Sequence, residues 1–454
     1  MRVWLNALLK KRNSEMEMET YNRAKLVLLD TLGSIIIGNH QKESSHLAKL
    51  YYQEMGEDRE KLNDKVPIYG TKYNLPYYDA GFINGQSAVA IEMDEGNQYS
   101  KGHPAAHVIP VIFTLLTRKQ KTKGIDILNA LVIGYEICSR FGRAVSLKDD
   151  THAHGTWGGL GAAATTMLFE KDVTSENMEK ALLLAASFTL PTQWESAVSG
   201  YLVRNLYVGH AIEYGLRVPN LVKSGFESPP DSIGHIFGSV IGTDINTDLL
   251  ELSTKKWDIE QNYFKPYAYC RYVHAPIEAF QKFLEKRNKE AKQLYPQKIK
   301  VLTYKRASSL AEKCPSNVLA AKFSIPYALA VIALYGTANH QAFDKNILND
   351  PNVKEFSSII EVEYSEELEN EYPNKMPAIV EIYDGEEKAS ARVDNATGGP
   401  DYEMESEEII NKFIRLTTNV YEKDTQQQII QTILNIEDYE FGDLLALLKQ
   451  VSIE

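Results

Sequence analysis

The sequence predicts a mainly α-helical protein with two domains: a large all-helical domain, discontinuous along the chain, and a smaller α+β domain. Three observations predict this. Apolar residues recur at helical spacing through much of the first 264 residues, and β-branched and aromatic residues alternate in four short runs after about residue 265. Helical periodicity then returns near the C-terminal end. The boundaries that follow are residues 1–264 for the helical domain, 265–402 for the α+β domain, and 403–454 for helices that rejoin the first. A length of 454 residues fits two hydrophobic cores better than one.

From Tyr21 to Ile37 the residues Leu26, Leu28, Leu29, Leu32, Ile35 and Ile36 keep mostly helical spacing, and Gly38 follows as a stop signal. Val108 to Leu116, Ile125 to Phe141, Gly158 to Phe169 and Met178 to Leu190 repeat the pattern. Gly158, Gly159, Gly161 and Ala162 to Ala164 crowd small residues into one segment. No strand pattern precedes them and no GK[ST] follows, so they predict close helix contacts rather than a phosphate loop. Ile299 to Tyr304, Ile359 to Tyr364, Ala378 to Tyr383 and Ala389 to Val393 predict strands, interleaved with a helix over Ser324 to Leu334. Glu405 to Leu416, Thr425 to Asn435 and Tyr439 to Gln450 predict the returning helices. The acidic run Glu361 to Glu371 predicts a solvated face.

Composition narrows the function. With 44% apolar and 24% charged residues the chain is an ordinary globular one, and a net charge of −12 without a basic patch argues against nucleic acid. Cys138, Cys270 and Cys314 stand far apart without a CxxC pair, which gives neither a disulfide framework nor a zinc or iron–sulfur motif. Lys10, Lys11 and Arg12 follow a short apolar run, the reverse of a signal peptide's order, and no apolar stretch reaches the roughly 18 residues of a membrane span. A cytoplasmic protein is expected.

Four clusters could carry chemistry. Glu92 to Asn97 followed by Lys101-Gly102-His103-Pro104 places Asp94 and His103 across a glycine-broken loop, and a carboxylate with an imidazole suits proton abstraction near neutral pH. The alternative there is a capping Asp and a surface His. His152 and His154 precede the small-residue helix, where His154 could donate to a substrate carboxylate; a metal site built on the two is the alternative, and the lack of an evident third ligand weighs against it. Arg204 lies ahead of Gly209-His210-Ala211 and offers a bidentate fork to a carboxylate, although most lone arginines are surface partners. Lys265 to His274 gathers Lys265, Cys270, Arg271 and His274 at the expected domain boundary, and a Cys270–His274 nucleophile pair is conceivable but lacks any acyl-transfer signature.

Taken in order, Met93-Asp94-Glu95-Gly96 with Gly102-His103-Pro104, Gly134-Tyr135-Glu136 with Arg140, His154-Gly155-Thr156, Gly209-His210-Ala211, Lys265-Pro266-Tyr267 with Cys270-Arg271 and His274, and Pro326-Tyr327-Ala328 resemble successive signatures of the MmgE/PrpD family over roughly residues 20 to 420. That resemblance implies a large helical domain with a smaller α+β lid, a homodimer, and a cleft between the domains holding Asp94, His103, His154, Arg204, Lys265 and His274. It implies a small di- or tricarboxylate substrate and no metal or other cofactor. The family's reactions are 2-methylcitrate dehydration, cis-aconitate decarboxylation and iminodisuccinate epimerisation. Asp94, His103, His154, Arg204 and His274 are then the expected catalytic residues, and Lys265, Cys270 and Arg271 the expected substrate-binding ones.

Two departures stand out. The family commonly has lysine where Arg204 stands and a histidine near Tyr207, and arginine is not an innocent replacement for lysine. The decarboxylase branch resembles the chain less, through the residue at Cys270 and the Asp-to-His spacer, so dehydration of 2-methylcitrate or a related acid is the leading expectation. In that reading Asp94 or a histidine takes the proton, Arg204 and Lys265 steady the carboxylate, and His103 or His274 protonates the leaving hydroxyl. Which residue is acid and which base stays open at this level. A carboxylate-binding protein that keeps the fold without the chemistry is the alternative from another class.

Overall fold

A computed structural model describes residues 1–56, 64–250, 256–289 and 296–452. It divides into two compact units. The first comprises Met1–Thr192, Arg204–Phe264 and Glu405–Glu454, and the second Gln193–Val203 and Lys265–Met404. The protein is thus mainly helical with a smaller α+β unit, as the periodicity predicts, and the short segment Gln193–Val203 leaves the helical stretch to join the second unit.

At the centre of the first unit runs the helix Met18–Asn39, buried on nearly every side from Thr20 to Ile36. A helix buried all round is enclosed by others, and the charges it carries inward, Arg23, Lys25 and Asp30, need partners there. The expected helices appear as Pro104–Leu116, Gly124–Ala144, Gly158–Leu168 and Ser175–Ser187, followed by Val203–Lys223. Proline at the first turn of Pro104–Leu116 fits because that position has no intrahelical N–H partner to lose. The first of the returning helices, Ser406–Thr417, lies on Met18–Asn39, where Gly33 lets Phe413 approach so closely that an added Cβ would stand 3.1 Å from its ring.

The small-residue helix Gly158–Leu168 is a packing device. A Cβ on Gly158 would stand 2.3 Å from the His107 ring, on Gly159 1.5 Å from the Tyr214 hydroxyl, and on Gly161 2.4 Å from the Cys138 sulfur. These separations exclude even a methyl group, so the glycines set how near the helix comes to Pro104–Leu116, Gly124–Ala144 and Val203–Lys223.

In the second unit all four expected strands form one sheet. Its order is Ile360–Tyr364, Lys298–Thr303, Ala378–Asp384, Glu387–Val393. The first pair is parallel with Val301 opposite Val362, and the others are antiparallel with Val301 opposite Val380. Ile299, Val301 and Thr303 alternate inward, the period-2 pattern of a sheet with one covered face. Part of the acidic run lies on this sheet, where Glu361 and Glu363 pair with Lys298 and Lys300 at 2.5 and 2.7 Å. The helices Arg271–Lys289 and Ile325–Tyr335 belong to the same unit. Among the described residues, no helix is long and apolar enough to cross a membrane.

Gly159→Ala should destabilise the first unit by about 1–3 kcal/mol, the usual cost of overpacking. Thermal melting checks this, and an unchanged midpoint would show that the helix can move aside.

Candidate functional site

The loop Glu92 to His103 is held from several sides in the first unit. Gly96 exchanges backbone hydrogen bonds with Tyr263 (3.0 and 2.7 Å), and the Asn97 N–H donates to the Gly102 carbonyl at 2.8 Å. The Asn97 side chain accepts from the amides of Tyr99 and Ser100 and donates to the Asp258 carbonyl at 2.9 Å. Glu92 sits in the left-handed region with φ 57°, a conformation that side chains other than glycine rarely adopt. Its buried ion pair with Arg204 helps to hold it there.

This loop brings Asp94 and His103 together. His103 Nδ1 lies 2.8 Å from Asp94 Oδ2 and 2.6 Å from the Glu95 carbonyl oxygen. Both neighbours are acceptors, so Nδ1 carries the hydrogen and Nε2 is the ring atom that can take or give a proton. The His103 side chain keeps 11% of its surface open, whereas Asp94 is closed at 1%.

His154 joins them, its ring edge-on to His103 with centroids 5.0 Å apart. Burial, then the Arg204 charge, then the rings of His152, His103 and His107 hold its pKa well below the ordinary imidazole value. His154 is therefore neutral at physiological pH, and its Nδ1 is buried without a hydrogen-bond partner. Gly155 beside it has φ 73° and stands against the Tyr207 carbonyl, where a Cβ would fall at 2.5 Å.

Arg204 is also in this unit and 1% exposed, but both of its Nη atoms are engaged by protein. Nη2 faces Glu92, and Nη1 donates to the Val89 carbonyl at 2.8 Å and to Asn205 at 3.0 Å. The free bidentate fork expected from the sequence is thus replaced by a buried ion pair whose field acts on His154. The His152 Nδ1 accepts from the His154 amide at 3.0 Å. Among the described residues no group of three or more His, Cys, Asp or Glu side chains is arranged to hold a metal ion.

Lys265, Cys270, Arg271 and His274 lie in the second unit, all buried. Arg271 begins the helix Arg271–Lys289 and donates to the carbonyls of Thr397 and Ala396 at 2.7 and 2.6 Å. His274 Nε2 bonds the Tyr269 carbonyl at 3.1 Å, and the Cys270 amide bonds the Lys322 carbonyl at 2.9 Å.

Two further residues escape the sequence reading. His107, one helical turn beyond His103, bonds the His103 carbonyl through Nδ1 (3.0 Å) and accepts the Gly155 amide at Nε2 (3.3 Å), bridging the two histidine-bearing segments. Burial pushes its pKa down to about 4, which preserves the neutral ring that this pair of bonds requires. Its i+4 spacing from His103 was the available signal. Glu95 takes the Ala105 amide (2.9 Å) and the Tyr135 hydroxyl (3.0 Å) on its carboxyl oxygens. Burial pushes its pKa up to about 8 against the pull of both donors.

The comparisons with known proteins agree with this architecture. The MmgE/PrpD N-terminal domain matches residues 7–240 and the MmgE/PrpD C-terminal domain residues 267–438. The chain belongs to the MmgE/PrpD family, a family of lyase character. Its relatives include the cis-aconitate decarboxylase of Homo sapiens, 24% identical over 449 residues covering 94% of this chain and 89% of that one. The cis-aconitate decarboxylase of Aspergillus terreus is 25% identical over 459 residues, covering 93% and 90%.

The shifted groups have opposite consequences for stability. Glu95 has a folded pKa above its ordinary 4.5, so its contribution is complete below that value and is lost as pH rises through about 8. His107 has a folded pKa below 6.5, so its contribution is present above 6.5 and is lost as pH falls through about 4. In Glu95→Gln the first dependence disappears. Between pH 5 and 8 the wild-type melting temperature should fall relative to that of the variant; parallel curves would remove Glu95 as the titrating group.

Proposed function

We propose that the chain is a lyase acting next to a carboxylate in a small tri- or dicarboxylic acid, with dehydration of 2-methylcitrate or a close relative as its reaction. The observation that carries this reading is the His103 ring, whose Nδ1 hydrogen lies between Asp94 and the Glu95 carbonyl. Such a ring is a general base at Nε2, and the carboxylate behind it stabilises the imidazolium that forms. The carbon–hydrogen bond breaks towards Nε2, its electrons become the new double bond, and the carbon–oxygen bond opens. The imidazolium proton leaves with the hydroxide as water. His154, held neutral, offers hydrogen bonding to a substrate carboxylate, as a neutral imidazole can without competing for the proton.

Decarboxylation is the second reading, and the cis-aconitate decarboxylases among the relatives give it equal support. Loss of carbon dioxide leaves the same kind of carbanion, and His103, entering that cycle with a proton taken from solvent on Nε2, would protonate it. A homodimer is what we infer from the family resemblance, and a cytoplasmic setting from the unpaired spacing of the cysteines; native mass tests the dimer.

Proton NMR in D₂O with 2-methylcitrate, citrate, cis-aconitate and iminodisuccinate should show alkene formation or deuterium entry with the wild type, and at least about 100-fold less with Asp94→Asn or His103→Gln. Turnover of cis-aconitate alone, with loss of carbon dioxide, would select the decarboxylase reading. Binding without turnover, unchanged in both variants, would leave a carboxylate-binding protein.

A further inference from the structure

We propose that Lys412, held by Asp30, is a positioning residue for the Asp94–His103 pair. The inference rests on the reading of that pair as the proton-transfer centre. Lys412 belongs to the C-terminal helix Ser406–Thr417, and Asp30 to the central helix Met18–Asn39. The Lys412 side chain is 2% exposed and that of Asp30 is fully closed. Lys412 Nζ lies 2.7 Å from Asp30 Oδ1 and donates to the Met93 carbonyl at 2.5 Å.

The place of that carbonyl gives the contact its meaning. The Met93 carbonyl belongs to the peptide plane that also contains the Asp94 amide and Cα, so anchoring the oxygen anchors the plane from which the Asp94 side chain departs and leaves only rotation about its N–Cα bond. On the other side of Met93 is Glu92, in the left-handed conformation and paired with Arg204. The two residues before Asp94 are thus each held by a buried cation from a distant part of the chain, Met93 through its carbonyl by Lys412 and Glu92 by Arg204.

An apolar residue would serve packing alone. Lys412 lies on the buried stripe of its helix with Ile409, Phe413 and Thr417, where leucine or methionine would fill the space. Burying an ammonium and a carboxylate costs several kcal/mol per ion before their attraction repays it, and replacement of such pairs by apolar groups is often neutral or stabilising. The ion pair therefore contributes what an apolar pair cannot: a directed donor to the Met93 carbonyl. Gly33 and Phe413, neighbours of Asp30 and Lys412 along their helices, are in tight contact, which leaves the ammonium little freedom.

Two double variants separate the roles. Asp30→Asn/Lys412→Gln and Asp30→Asn/Lys412→Met both abolish the ion pair without stranding a charge, but only the first keeps an N–H donor for Met93. On whichever substrate the wild type turns over, the Gln form should stay within about threefold of wild-type kcat. The Met form should lose about 10- to 100-fold in kcat with KM little changed, the scale of a small misplacement of a reacting group. A substrate-free readout accompanies this: the downfield His103 Nδ1 proton resonance, assigned by its absence in His103→Gln, should persist in the Gln form and vanish in the Met form. Equal behaviour of the two double variants in kcat and in the resonance, whether both match wild type or both decline with melting temperature, would overturn the proposal. If the Met form fails to fold, Lys412→Arg, which retains the charge pair with a bulkier planar head, should lower kcat and shift the resonance at unchanged melting temperature; wild-type values of both would overturn the proposal. Failure of the wild type to turn over any substrate would count against the proposed function, while the resonance would still decide the role of Lys412.

Discussion

Everything in the first unit's site depends on how three acidic residues are kept inside the protein within four positions. Glu92, Asp94 and Glu95 are each no more than 1% exposed, and three carboxylates so close together cannot all stay charged and unpartnered in a low-dielectric interior. Each is handled differently. Glu92 is paired with Arg204, Glu95 has its pKa raised to about 8 and keeps its proton at neutral pH, and Asp94 faces His103. The outcome is one carboxylate directed at one imidazole, which is what an acid–base couple needs.

The glycine-rich helix supplies the second requirement, proximity. Because Gly158 and Gly159 admit the His107 ring and the Tyr214 hydroxyl where a Cβ would stand, the segment carrying His154 comes close enough for its ring to meet His103. His107 then fastens the two segments through a ring that burial keeps neutral. Packing, protonation state and the approach of the histidine rings are here consequences of the same absent side chains.

Local pattern made much of this legible before the fold was seen. The helix around Leu26 to Ile36, the four strands of the second unit, and the Asp94–His103 and His154 clusters all announce themselves through periodicity or the adjacency of chemically suited residues. Pairings between distant positions did not. Nothing near Lys412 or Asp30 in the chain hints that a C-terminal helix donates to the carbonyl preceding Asp94, because the contact joins residues with no shared sequence pattern. The transfer of Gln193–Val203 to the second unit escaped for a related reason: so short a segment has no periodicity of its own, and its membership is decided by tertiary contacts such as that of the Asn317 side chain with the Ser199 carbonyl.

Arg204 shows how a change of residue type can redirect a site. A lysine ammonium has a compact point charge on a flexible stem, whereas arginine has a planar head with five donors. Here that head is engaged by Glu92, the Val89 carbonyl and Asn205, and its charge acts on His154 as a field. The field still matters, because it reinforces burial in keeping His154 neutral. In the proposed mechanism dehydration and decarboxylation both use the His103 imidazolium, formed by the substrate's proton in the first and by solvent in the second, and differ in which bond to the substrate carbon supplies the electron pair. The choice between them therefore falls to whatever sets the tilt of the substrate's carboxylates. In that proposed mechanism, with both Nη atoms of Arg204 engaged by protein groups, hydrogen bonding by His154 is the first-unit contact assigned to set that tilt.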